Sequence, residues 1–122
     1  MVKPLAIAVL SLRVAYGVGM VAAPERITGA WLGPAASTGP VQVPVRGLGA
    51  REAILHAAAL AAAVAGRPLR PWLVASIAGD LTDITATAIA RPQLPPGVVG
   101  KTLALAGGSA LASAALAAAL DA

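Results

Sequence analysis

Six ionisable side chains interrupt stretches that are otherwise apolar: Arg13, Arg51, Glu52, His56, Asp80 and Asp83. Where hydrocarbon surrounds it, a central Arg or Asp costs about 2.5–3.5 kcal/mol on insertion scales, so such groups are the first candidates for function. Their spacing pairs them. Glu52 and His56 are four residues apart and share a helix face, and Asp80 and Asp83 are three apart and do likewise, with Thr87 one turn further on. Two carboxylates one turn apart resist ionising together, so one of the Asp pair is expected to hold a proton, while an arginine nearby favours the charged form of the other. A protonated acid in a dry site, with a base to collect a proton, is the equipment of general acid–base chemistry. On this reading Asp80 or Asp83 is the acid, Glu52 is the base, Arg51 orients Glu52, and Arg13 and His56 complete the catalytic set. Glu52, His56, Asp80 and Asp83 also have the ligand types of a divalent-metal site, but the arginines among them would repel a cation. Neither a metal nor a cofactor is expected.

Chemistry of this kind needs elements that hold charge inside an apolar medium, and the chain has four candidates, at about 4–22, 45–65, 71–90 and 97–120. Each is close to the roughly 20 residues with which a helix crosses about 30 Å of hydrocarbon. Pro4, Pro44 and Pro71 stand at or just before the predicted starts, where a missing N–H is harmless. Gly66-Arg67-Pro68 and Arg91-Pro92 mark stops. Composition agrees. Of 122 residues 58% are hydrophobic and 11% charged, against about 25% charged in an average soluble domain, and the mean hydropathy is +0.82. This excludes disorder. Nine Lys and Arg against five Asp and Glu give a net charge of +4, but the basic residues are scattered singly, which argues against a nucleic-acid partner. The absence of cysteine excludes disulfides and thiolate sites. Alanine makes up about a quarter of the chain, which raises the alternative of a soluble four-helix bundle. The last stretch answers it: from Thr102 to Leu120 it has only small residues, leucines and two serines, with no polar stripe for water. The N-terminus has some features of a secretory signal, but Arg13 interrupts its apolar region and Pro24 would follow the cleavage point, so a retained first helix is expected. The expected fold is therefore all-α: one integral membrane domain, a four-helix antiparallel bundle in which residues 23–44 form a long lid loop.

The midpoints of the first three stretches fall near residues 13, 55 and 81, which puts Arg13, His56 and Asp80 at the membrane centre. Glu52, Asp83 and Tyr16 are displaced toward the lid side by roughly 3–5 Å at the helical rise. Arg46 falls at the mouth, and Trp31 and Trp72 are expected at the interface, where aromatic anchors collect. The prediction is a pocket opening toward the lid, with Tyr16, Trp31, Arg46, Trp72 and Thr87 contacting the substrate. In the fourth stretch Ala104, Gly108 and Ala112 have small-xxx-small spacing, which suits close packing within the bundle or between copies of the chain. Counts of basic residues at the two ends of the helices are nearly equal and leave the orientation open.

Arg46-Gly-Leu-Gly-Ala-Arg51-Glu52 and Asp80-Leu-Thr-Asp83, with Trp-Leu-Gly at 31–33 upstream, resemble a group of small four-helix integral membrane proteins common in actinobacteria. The resemblance spans most of the chain and implies a bacterial plasma membrane. Members often have Asp where Glu52 stands here, and the family is one of unknown function, so it lends the chain a fold and no reaction. A fainter similarity, in size and in acids buried among apolar helices, is to bacterial membrane-bound terpene cyclases, none of whose motifs maps onto these residues.

The residue inventory thus points to an integral-membrane enzyme that protonates a lipophilic, prenyl- or terpenoid-like substrate, causing cyclisation, isomerisation or epoxide opening. With only Tyr16, Trp31 and Trp72 available to stabilise a carbocation, a short cascade is favoured over multi-ring closure. Two alternatives stand beside it: a proton-coupled transporter of the small multidrug type, and a non-catalytic membrane scaffold whose charges only specify helix pairing. The partners implied are the membrane, a lipid or lipophilic small molecule, and a second copy of the chain through the fourth helix.

Overall fold

The computed structural model describes residues 2–121 and is all-α. Two compact units divide it, Lys3–Pro68 and the part from Leu69 onward. The first contains α1 (Val2–Ala22), α2 (Pro24–Leu32), a 3₁₀ turn (Gly33–Ser37) and α3 (Gly39–Val64). The second contains α4 (Arg70–Ala90), a short 3₁₀ extension (Arg91–Gln93), α5 (Val98–Thr102), a π-helical segment (Leu103–Gly107) and α6 (Gly108–Asp121). Four helical stretches are long and apolar enough to cross a membrane: Val2–Ala22, Gly39–Val64, Arg70–Gln93 and Val98–Leu120.

The surface of these helices is as apolar as their composition. Leu12, Ile54, Ile89 and Leu111 are each about 70% exposed or more, an apolar display that water would penalise and lipid accepts. Exposed hydroxyls are bonded back to their own helix, Thr82 Oγ1 to the Ala78 carbonyl and Thr85 Oγ1 to the Leu81 carbonyl, both at 2.8 Å. A hydroxyl satisfied in this way presents little polarity to its surroundings.

In the first unit α1 and α3 run antiparallel, since Gly17 lies against Gly49 while Arg13, earlier on α1, meets Glu52, later on α3. Glycine is required at the crossing. A Cβ on Gly17 would stand 2.6 Å from the Gly49 carbonyl oxygen and the Ala53 nitrogen, and one on Gly49 would stand 2.6 Å from the Gly17 carbonyl oxygen. The packed faces follow from spacing: Ala6, Leu10, Arg13, Gly17 and Met20 on α1, and Val45, Gly49, Glu52, His56, Ala59 and Ala63 on α3, all buried or half-buried. Alternating steps of four and three give an average repeat of 3.5, the seam of a coiled coil. α3 ends in a Schellman turn, with Arg67 N–H donating to the Ala62 carbonyl and Gly66 at a φ of +69° that only glycine adopts without strain.

The expected lid loop is largely helical. Pro24 opens α2, and α3 begins at Gly39 rather than near Val45, so that Pro44 lies inside the helix it was expected to precede. A transmembrane helix tolerates that proline because neighbouring groups can compensate for the lost N–H. α2 spans nine residues, about 13 Å at the helical rise, too short to cross a membrane. It exposes Glu25 and Arg26, buries Pro24 and Thr28, and lays Ile27 against Gly19 of α1. Gln42 Nε2 donates to the Ala36 carbonyl at 3.2 Å and ties the 3₁₀ turn to α3.

In the second unit α4 packs on α5 and α6. Leu73, Ser76 and Asp80 are buried on α4, with Val98, Thr102, Ala106, Ser113 and Leu116 buried on the other arm. The fourth predicted helix is continuous through its π-helical segment, a wider turn that ends at Gly107, where α6 takes over at Gly108.

Candidate functional site

Halfway along α1, Arg13 reaches halfway along α3 and grips Glu52. Its Nη2 donates to Oε1 at 3.1 Å and to Oε2 at 3.2 Å, and its Nε donates to Oε2 at 3.3 Å. The side chains are 12% and 18% exposed. A guanidinium and a carboxylate matched in this way enter the apolar layer as a neutral pair with several charge-assisted hydrogen bonds, which offsets much of the cost of burying either alone. The glycine crossing one turn away sets the distance that the pair must span.

His56 adds a titratable group to the pair. Its Nδ1 lies 2.7 Å from the backbone carbonyl of Glu52 and 3.4 Å from Glu52 Oε2. A carbonyl only accepts, so this nitrogen carries the hydrogen. The ring is 1% exposed. Tyr16, half-buried and three residues beyond Arg13, lies within electrostatic reach of Glu52. Arg13, Tyr16, Glu52 and His56 are thus brought together.

Arg51 does not orient Glu52. It is exposed, and its Nε donates to the Gly47 carbonyl at 3.4 Å. With 3.6 residues per turn, a helix that turns Glu52 toward α1 turns the preceding residue about 100° away. Arg46 is exposed within α3 rather than at the mouth of a loop, and Trp31 is half-buried on α2.

On α4, Asp80 is buried at 4% exposure and Asp83, one turn on, is half-buried. Thr87 Oγ1 donates to the Asp83 backbone carbonyl at 2.7 Å, so it extends the same face. Trp72 is half-buried in the first turn of α4. Ser76, buried one turn before Asp80, and Thr102 and Ser113 on the other arm are polar positions that the sequence reading passed over. Ser76 was findable, being four residues before Asp80 on the same face. Ala104, Gly108 and Ala112 are all exposed, and nothing lies within 4 Å of a Cβ built on Gly108.

Among the described residues, every buried side-chain nitrogen or oxygen has a hydrogen-bond partner, and no three histidine, aspartate or glutamate side chains form a group that could hold a metal ion. No family model, curated protein or solved structure matches the chain.

Proposed function

We propose that this membrane protein is an enzyme that moves protons on a lipophilic, prenyl- or terpenoid-like substrate by cyclisation, isomerisation or epoxide opening. The observation that supports it is the Arg13–Glu52–His56 constellation, an ion pair with an adjoining imidazole in the middle of two membrane-spanning helices. The glycine crossing already brings those helices together, so a cluster that is costly to insert is better explained by a function at that position, proton transfer being one that intramembrane ionisable groups serve. In this proposal Asp80 or Asp83 serves as an acid and Glu52, beside His56, as a base. Tyr16, Trp31, Arg46, Trp72 and Thr87 contact the substrate, in the plasma membrane of a bacterium.

A competing reading, that the pair only specifies how α1 and α3 meet, draws support from the mutual satisfaction of Arg13 and Glu52. The two separate in an assay of the full chain in lipid nanodiscs, with a prenyl chain bearing a terminal epoxide as probe. Conversion to an isomer of equal mass, lost in Asp80→Asn, is the expected result. A wild-type protein that leaves the probe unchanged refutes the enzyme reading, and pH-driven uptake of a lipophilic cation into proteoliposomes would replace it with the transporter.

A further inference from the structure

Arg51 has no task in the site described above, yet it stands midway along α3 and is exposed. Its depth follows from two counts. Back from Val64, where α3 ends, about 20 residues span the roughly 30 Å of hydrocarbon and reach Val45. The facing helix gives nearly the same level. The Val21 nitrogen lies 3.1 Å from a Cβ built on Gly49, and α1 stops one residue later, at Ala22. The helix that follows, α2, is too short to cross and exposes Glu25 and Arg26. The hydrocarbon boundary therefore falls near residues 45–48 of α3, and the Arg51 backbone lies roughly 5–9 Å inside it at the helical rise.

A guanidinium facing lipid at that depth has to reach back toward the boundary. Arg51 does so: its Nε donates to the Gly47 carbonyl at 3.4 Å, one turn nearer the boundary. Among the described residues no carboxylate pairs with it, so its two terminal nitrogens are left to a group from outside the chain. Gly47 is exposed, and nothing lies within 4 Å of a Cβ built on it, which leaves an open notch beside the guanidinium. In the other direction Ile54, Ala57, Ala61 and Val64 are all exposed. Their steps of three and four continue the face of Arg51 into the hydrocarbon. Arg46, five residues earlier, is about 140° around the helix and lies off this face. A cation near the boundary, an open notch and an apolar strip leading inward have the layout of a phospholipid.

We propose that this face of α3 binds one phospholipid of net negative charge, with Arg51 holding its phosphate and the strip from Ile54 to Val64 bearing an acyl chain. A guanidinium matches a phosphate through two parallel N–H donors. A zwitterionic headgroup would bring a second cation up to Arg51, which a net-anionic one avoids. The proposal rests on α3 spanning a membrane and not on the enzyme reading.

Native mass spectrometry of the full chain, released from detergent after titration with phosphatidylglycerol, phosphatidylcholine or inorganic phosphate, tests it. The expected result is one retained phosphatidylglycerol that neither of the others displaces. Arg51→Ala should weaken retention about fivefold or more, the scale of one basic residue at an anionic lipid surface. Gly47→Leu, which fills the notch and keeps the charge, should weaken it as well. Arg67→Ala, at an exposed arginine beyond the other end of α3, should retain the lipid as the wild type does. Unchanged retention in Arg51→Ala or Gly47→Leu, or an equal loss in Arg67→Ala, overturns the proposal. So does equal binding of the two lipids, and displacement by inorganic phosphate would assign the site to a free anion instead. None of these outcomes bears on turnover of the epoxide probe, so this assignment and the enzyme reading fail separately.

Discussion

Arg13 meets Glu52 one helical turn from the point where Gly17 and Gly49 bring their backbones into contact. The close approach and the ion pair depend on each other: small residues draw the helices together, and the pair makes it possible to seat charge on the seam they create. Removing one partner leaves a charge half-buried and unmatched, at a typical cost of about 3–5 kcal/mol, whereas exchanging both for apolar residues is often neutral. Arg13→Leu and Glu52→Leu are each expected to lower the melting temperature in detergent markedly, with the double variant restored to near wild type yet inactive on the epoxide probe. Double-mutant melting curves check this, and two single changes that simply add would show that the pair contributes no coupling.

The glycine crossing makes its own prediction. Gly17→Ala and Gly49→Ala each force a Cβ to about 2.6 Å from backbone of the facing helix, where no flexible side chain can give way. Cost at the upper end of overpacking effects, about 1–3 kcal/mol or more, is expected. Gly47→Ala on the same helix meets nothing within 4 Å and should gain up to about 1 kcal/mol from helix propensity. Thermal melts of the three variants, with opposite signs for Gly47 and Gly49, form the check.

Much of this architecture was legible in the sequence, and the reasons are physical. Four apolar stretches of bilayer length read directly as four long helices, and the shared face of Glu52 and His56 followed from their spacing of four. What escaped was azimuth. Arg51 and Glu52 are adjacent in sequence but about 100° apart around α3, so the neighbour that looked like the partner of Glu52 is the one that cannot reach it. Gly17 and Gly49 were visible as residues, yet nothing marked them as facing until Arg13 and Glu52 fixed the register. The segment after Ala23 read as a loop because Pro and Gly break helices; Pro24 instead occupies the first turn of α2, and Pro44 is absorbed within α3.

Arg51 should therefore be dispensable for folding. It is exposed, its Nε donates to the Gly47 carbonyl over a long 3.4 Å, and substitutions away from buried features usually stay within about ±0.5 kcal/mol. Arg51→Ala is expected to melt like the wild type. A fall comparable to that of Arg13→Leu would show that Arg51, not Arg13, sustains Glu52.

The last prediction concerns the Asp pair, where stability and chemistry can be separated. Asp80→Asn and Asp83→Asn preserve volume and hydrogen-bonding capacity but remove the transferable proton. Asp80 is buried and Asp83 half-buried, one turn apart on α4. Because the amide matches the carboxyl in size and can still hydrogen-bond, at least one variant should melt close to the wild-type temperature. In the same variant, turnover of the epoxide probe should fall by about 10²-fold or more, as when a general acid is lost. Unchanged stability with a loss of turnover is an outcome that a purely structural pair does not produce. Full turnover in both Asn variants would remove the Asp pair from the chemistry and return the search for a proton donor to the rest of the chain.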